Sequence, residues 1–213
     1  MTDPNFHIQT PRLYISYFLA SVDAHCDFFV DLYNSPEVVI ANRGVPMFVA
    51  NREEARAKIE NDAKQQLQTG FGRFLVSLRP VDVSKDDKSP VSFSEQLKTL
   101  ESIGMVSMKI RSEPGSPKVP DIGFSQLPQY CGKGYATEAL SALLEYFERE
   151  KSVKEVLGFC MPDNENSKKM FKRLDFESRG VRLLKEFTRG GVGVHGLVFT
   201  KKGMKGDLSE YGL

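Results

Sequence analysis

Cysteine is scarce in this sequence. Cys26, Cys131 and Cys160 are the only three in 213 residues, and no two are spaced as a disulfide framework or a zinc pattern would require. A reducing, intracellular and therefore cytoplasmic setting is expected, with no metal. There is no excess of charge of one sign either. Twenty-nine basic residues face 28 acidic ones for a net charge of +1, so no global field draws the chain to nucleic acid or an anionic membrane, and an acidic ligand must meet a local site. No apolar run is long enough to span a bilayer or to serve as a signal core, and Met1 to Gln9 is polar, so the expectation is a soluble, unsecreted protein. Repeats and domain linkers are also missing. One domain over 1–213 is expected, with a core large enough to need no cross-links.

What is present alternates between strand-like and helix-like stretches. Arg12 to Phe18 is β-branched and aromatic and follows Thr10-Pro11, which predicts a first strand. Asp23 to Tyr33 has helical apolar spacing, with Asp23 as N-cap and Asn34-Ser35-Pro36 as a stop. Asn51 to Thr69 carries an N-cap asparagine, early acidic residues and Gly70 just past its end, the pattern of a second helix. Strands follow at Gly72 to Leu78, Ile103 to Ile110 and Asp121 to Gln126. A polar tract over 79–101, with Asp86-Asp87-Lys88 in it, reads as an inserted, solvated loop with a short helix near its end. Ala136 to Glu150 places Ala139, Leu140, Leu143, Leu144 and Phe147 on one helical face. Val153 to Met161 is an apolar run, Glu165 to Leu174 reads as a helix, and Arg182 to Phe187 with His195 to Lys201 reads as a closing hairpin across Arg189-Gly190-Gly191. Residues 202–213 read as a mobile tail.

The most informative stretch is Gln129 to Ala136, QYCGKGYA, between a predicted strand and a predicted helix. Gly132 and Gly134 permit tight backbone curvature. The helix that follows presents free N–H groups and a positive dipole end, and Lys133 adds charge at the rim, so the stretch suits an anion such as pyrophosphate. A purely structural turn would use the same glycines. No G-x-x-x-x-G-K-[ST] is present, and the dinucleotide pattern fails at Thr137, where a third small residue is wanted.

From Gln129 to Ala139 the residues Gln-x-x-Gly-Lys-Gly-Tyr-Ala-Thr-Glu-Ala resemble the acetyl-CoA pyrophosphate loop of the GNAT superfamily. They are most similar to the branch that includes the ribosomal-protein N-terminal acetyltransferases. A second motif of that branch, Asn-x-x-Ser followed by an apolar pair and Leu-Gly-Phe, has its counterpart in Asn164 to Ser167, Met170-Phe171 and Leu174-Asp175-Phe176. Thr10 to Leu13 and Asp121 to Phe124 also resemble the branch. The resemblance implies an α/β (α+β) fold: a mixed, mostly antiparallel sheet of about seven strands with about four helices, splayed between its fourth and fifth strands, where the cofactor lies. It implies pyrophosphate binding by the amides of Gly132, Lys133, Gly134, Tyr135 and Ala136 with the Thr137 hydroxyl, and a loop that begins at Gln129. Phe124 and Ser125 would flank the pantetheine. Asn164 would bond it or support the helix start, and Ser167 and Phe171 complete the expected cofactor contacts.

Two positions depart from the family. Asp175 stands where the family has glycine, and aspartate tolerates left-handed backbone better than most residues. Phe171 stands where many members have a tyrosine that protonates the departing thiolate; the resemblance makes Ser167 its replacement. Amine acetylation needs a base, an oxyanion donor and an acid. The resemblance assigns the base to Glu186 and the donor to a backbone N–H near Phe124 or Ser125. Without the resemblance, Glu186 reads as a solvated strand residue, Ser167 as a helix-start residue, Glu138 as a match to the helix dipole and His195 as an ordinary strand residue. Cys131 lacks a histidine partner, which argues against a nucleophilic cysteine. The expected function is N-acetyl transfer from acetyl-CoA to an amine, on a protein N-terminus or a small molecule, by direct attack in a ternary complex. The alternatives are a non-catalytic acyl-CoA-binding module, suggested by Phe171, and an ATP-binding protein. Monomer and homodimer both remain open, with neither nucleic acid nor membrane as partner.

Overall fold

The computed structural model describes residues 3–41, 49–80, 91–112, 115–184 and 193–213. In chain order the first elements are β1 (His7–Gln9), β2 (Leu13–Ser16), α1 (Asp23–Asn34), α2 (Pro36–Ala41), α3 (Arg52–Thr69), β3 (Gly72–Leu78) and α4 (Phe93–Gln96). They are followed by β4 (Ser102–Lys109), β5 (Asp121–Gln126), α5 (Tyr135–Lys151), β6 (Leu157–Cys160), α6 (Glu165–Arg173), β7 (Phe176–Leu184) and β8 (Val194–Lys201). The strands hydrogen-bond in the order β1-β2-β3-β4-β5-β6-β8-β7. β1·β2, β2·β3, β6·β8 and β7·β8 are antiparallel and β5·β6 is parallel, the mixed, mostly antiparallel sheet that was expected. Among the described residues it has eight strands rather than seven. The additional one, β1, is three residues long, too short to show alternation in sequence. The parallel β5·β6 register holds two pairs, Asp121↔Leu157 and Ile122↔Gly158, and ends there, in line with the expected splay.

Contacts divide the chain into two units, residues 1–106 with 124–143 and residues 107–123 with 144–213. In the first, α1 and α3 pack with β3 around a core that includes Phe18, Phe29, Leu32, Tyr33, Ile59 and Leu75. α3 begins where Asn51 accepts from the Glu54 N–H at 3.0 Å and ends at Gly70, whose φ is 77°. Asp23 is not the cap of α1; Val22 holds that position without a side-chain bond. The Asp23 carboxylate instead accepts from Arg52 at 2.8 Å and Arg56 at 2.7 Å, tying α1 to α3, because two guanidinium partners outweigh one exposed backbone N–H. The stop at Asn34-Ser35-Pro36 is also brief. Ser35 is extended and ends α1, but Pro36 opens α2 at the position where its missing N–H costs nothing, and the Ser35 Oγ accepts from the Val38 N–H at 3.4 Å. Within the expected insertion the short helix appears as α4, and Leu97 after it joins the core; Asp86-Asp87-Lys88 lies outside the described residues.

In the second unit, Leu157, Leu184, Val198, Met204, Leu208 and Tyr211 form the core. The final segment corrects the expectation of a mobile tail. It forms a 3-10 turn over Leu208–Tyr211, buries Met204, Leu208 and Tyr211, and accepts the Lys118 N–H on the Tyr211 carbonyl at 3.0 Å. Three apolar side chains spaced among glycines and charges leave too weak a periodic signal for sequence reading. β7 begins at Phe176, six residues before the expected Arg182, and a register shift between Ser178 and Val181, with Gly180 at φ 79°, breaks its alternation. The expected strand end at Lys185 to Phe187 and the glycine-rich connection lie outside the described residues. Among the described residues no helix is long and apolar enough to cross a membrane.

Candidate active site

β5 ends at Gln126, whose side-chain amide donates to the Tyr130 carbonyl at 2.9 Å and holds the 3-10 turn Pro128–Tyr130 against the strand end. Gln129 lies in this turn. Gly132 and Gly134 follow with φ of 77° and 81°, a left-handed backbone that a side chain strains. A Cβ on Gly132 would meet nothing within 4 Å, so it is backbone conformation and not space that requires glycine there. The Glu138 N–H makes the first bond of α5, to the Gly134 carbonyl at 3.0 Å. Among the described residues, the amides of Gly132, Lys133, Gly134, Tyr135, Ala136 and Thr137 find no acceptor. Six consecutive donors at a helix N-terminus form an anion cradle.

Under the start of α5, Val76 of β3, Ile103 and Met105 of β4, Phe124 and Ser125 of β5, and Tyr135 and Ala136 line an apolar cleft. The structure therefore brings together Phe124, Ser125, Tyr135 and Ala136, with Gln129, Gly132, Lys133, Gly134 and Thr137 in the adjoining turn. The Lys133 ammonium lies 5.5 Å from the centroid of the Tyr130 ring.

Beneath this loop lies a polar network that sequence reasoning missed. The Glu138 carboxylate accepts from the Thr10 hydroxyl at 2.6 Å, the Arg12 backbone N–H at 3.0 Å, and Arg12 Nε and Nη2, each at 2.6 Å. Burial raises the Glu138 pKa, but the bonds from Thr10 and Arg12 outweigh it, so the group is held below the ordinary glutamate value. Arg12 Nη1 also donates to the Lys133 carbonyl at 3.0 Å, and the guanidinium sits 4.6 Å from the Tyr135 ring centroid. Glu138, read as a dipole match, is the anchor of the N-terminal segment to α5. The available signal was the pairing of Thr-x-Arg with the loop's glutamate, but the partners are 126 to 128 residues apart, beyond any local pattern.

In the second unit, Asn164 caps α6 by accepting the Ser167 N–H at 3.0 Å, which is the expected support of the helix start. Ser167 is buried in the first turn. Phe171, expected among the cofactor contacts, is a core residue with 1 % of its surface exposed. Its ring stacks on Phe199 with centroids 4.5 Å apart and lies over Gly158, where a Cβ would come within 2.1 Å of it. Asp175 does adopt the left-handed backbone, at φ 59°. Glu186 lies outside the described residues. His195 sits in β8 opposite Leu183. Burial raises the thiol pKa of Cys26, Cys131 and Cys160, the last to about 11, the reverse of what activates a nucleophile. Among the described residues no three His, Cys, Asp or Glu side chains are grouped to hold a metal.

The acetyltransferase (GNAT) domain model matches residues 12–177. An uncharacterised N-acetyltransferase of Bacillus subtilis (strain 168), YnaD, is 35 % identical over 60 residues, a match covering 28 % of this chain and 35 % of that protein, so about a third of the relative is spanned. The microcin C7 self-immunity acetyltransferase MccE, solved with acetyl-CoA and AMP, superposes with a TM-score of 0.66 at 19 % identity over 90 % of this chain and 93 % of its own. The ribosomal L7/L12 α-N-protein acetyltransferase RimL does so with a TM-score of 0.62 at 16 % identity over 92 % and 93 %. At these identities the two structures speak for the fold. With the family model spanning β2 to β6, the loop before α5 and the Asn164 motif, the chain belongs to the acetyltransferase (GNAT) domain family.

Proposed function

We propose that the protein transfers the acetyl group of acetyl-CoA to a primary amine, either a protein N-terminus or a small molecule, by direct attack in a ternary complex. The observation that carries this reading is the row of six unpaired amides from Gly132 to Thr137, shaped by two left-handed glycines. Its fit to a pyrophosphate is chemical: consecutive N–H donors, a helix dipole and a lysine at the rim, beside an apolar cleft lined by Phe124, Ser125 and Tyr135. Bound acetyl-CoA supplies an activated thioester whose carbonyl carbon the amine nitrogen attacks as the C–S bond breaks. A β5 amide near Phe124 or Ser125 is the proposed donor to the carbonyl oxygen. Glu186 is proposed to take the proton released by the amine, through water, because an unperturbed carboxylate is a weak base for this task. With phenylalanine at 171, Ser167 is the proposed donor to the departing sulfur.

The test is calorimetric titration with acetyl-CoA and with ATP, on the protein and on Gly134→Glu, which crowds and repels a pyrophosphate. Binding of acetyl-CoA at micromolar concentration, lost in the variant and followed by turnover on an amine panel, supports the proposal. Binding without transfer to any amine replaces it with an acyl-CoA-binding module, and preference for ATP rejects both. In the active enzyme, an unchanged pH–rate profile for Glu186→Gln would remove that residue as base.

A further inference from the structure

We infer that Arg12 is a positioning residue for the anion cradle, aiming one of its amides and cancelling a carboxylate that would otherwise repel the ligand. The inference rests on the acetyl-CoA reading above and adds to it a residue from outside the loop.

The geometry starts with a turn closed on itself. The Thr10 N–H donates to the Leu13 carbonyl at 2.9 Å and the Leu13 N–H to the Thr10 hydroxyl at 2.9 Å, with Pro11 between them. This presents Arg12 outward at a fixed angle. Nη1 then holds the Lys133 carbonyl at 3.0 Å. In a planar trans peptide the carbonyl and the following N–H point in opposite directions, so pinning the Lys133 oxygen on Arg12 turns the Gly134 N–H away from Arg12. The next peptide is fixed in the same manner, because the Gly134 carbonyl accepts from Glu138 and the Tyr135 N–H therefore faces out of the helix end. Two central donors of the cradle are thus oriented before any ligand arrives, one by Arg12 and one by the helix.

The second part is electrostatic. Glu138 stands in the first turn of α5, the same turn whose amides are free, and an unpaired carboxylate there would oppose a bound anion. The contact of Arg12 Nε and Nη2 with Oε2, supported by the Thr10 hydroxyl and the Arg12 amide on Oε1, cancels that charge. Lysine at position 12 could neutralise Glu138 but could not also reach the Lys133 carbonyl, since one ammonium lacks the spread of the guanidinium.

The experiment measures Kd for CoA and for dephospho-CoA, which keeps the pyrophosphate and lacks the 3′-phosphate. It compares the protein with Arg12→Met, Arg12→Lys, Glu138→Gln and the Arg12→Met/Glu138→Gln double variant. Arg12→Met is expected to weaken both ligands by the same factor, about ten-fold or more, and removing Glu138 as well is expected to recover part of that loss. A simple loss of packing would not produce recovery from a second deletion. Arg12→Met binding as tightly as the parent overturns the inference. So does a loss confined to CoA, which would mean direct contact with the 3′-phosphate, and so does an absence of recovery in the double variant. If Arg12→Met lacks a cooperative melt, Arg12→Lys carries the test: weaker binding of both ligands supports the inference and parental affinity overturns it. Failure of the parent to bind either ligand strikes the acetyl-CoA reading itself, which the Arg12 variants cannot do.

Discussion

The two motifs that carry the family resemblance are built on opposite principles. From Gly132 to Thr137 the backbone donors are left without partners and the side chains beneath them are tied by ion pairs and hydrogen bonds. From Asn164 to Phe176 nearly every recognisable feature is consumed by the fold: Asn164 caps, Phe171 stacks on Phe199 above Gly158, and Asp175 turns the chain into β7. A motif whose polar groups stay free and one whose groups are used in packing look equally sharp in a sequence. They separate when one asks which of their polar groups are still unsatisfied in the folded chain.

This contrast can be broken by variants that should act on stability in one region and on ligand affinity in the other. The largest effect expected is from Phe171→Ala, which empties a fully buried ring site and should cost about 3–5 kcal/mol in urea unfolding. A loss below about 1 kcal/mol would show that the ring is not a core element.

Next comes a test of the first unit's core that leaves the cradle untouched. His25 is buried, accepts the Leu19 N–H on Nδ1 at 3.0 Å, and has Nε2 3.3 Å from the Leu97 carbonyl. Burial lowers its pKa from 6.5 to about 4, with the Leu97 bond opposing. The unfolded chain therefore binds this proton more readily. The stabilisation is full above pH 6.5, is lost as the pH falls towards 4, and amounts to about 3 kcal/mol. His25→Gln should show a stability that falls correspondingly less between pH 7 and 4; parallel curves would refute the assignment.

Gly132→Ala should cost about 1–2 kcal/mol through its left-handed φ alone, and it should weaken acetyl-CoA binding far more than an equal destabilisation in the Asn164 motif does. Equal effects on affinity, read by calorimetry, would erase the contrast. The smallest effect is a gain: Asp175→Gly relieves a positive φ at an exposed turn and should add about 0.5–1 kcal/mol to stability without changing affinity. Its surface pair with Lys202, at 3.2 Å, is solvent-exposed and should contribute little.

Local rules read well wherever neighbours in sequence supply the energy. Asn51 and Gly70 bound α3 as their chemistry demands, and Gly72–Leu78 and Asp121–Gln126 match their predicted strands residue for residue. The glycine loop before α5 was legible for the same reason, since its glycines, helix start and free amides lie within eight residues. The reading failed where distant partners intervened. Asp23 was drawn from its cap by Arg52 and Arg56, β1 exists because β2 pairs with it, and the tail is held by Lys118 and Glu155, the latter accepting from the Tyr211 hydroxyl at 3.1 Å.

By itself, then, the sequence determined the family, the mixed sheet and the glycine turn that opens α5, because each follows from spacing within a strand, a turn or a helix. Only the tertiary structure decided that Phe171 belongs to the core and that Glu138 is the partner of Arg12. Those facts depend on which surfaces meet across more than a hundred residues or across a sheet, and such meetings are chosen by packing and charge pairing in the folded chain rather than by local preference.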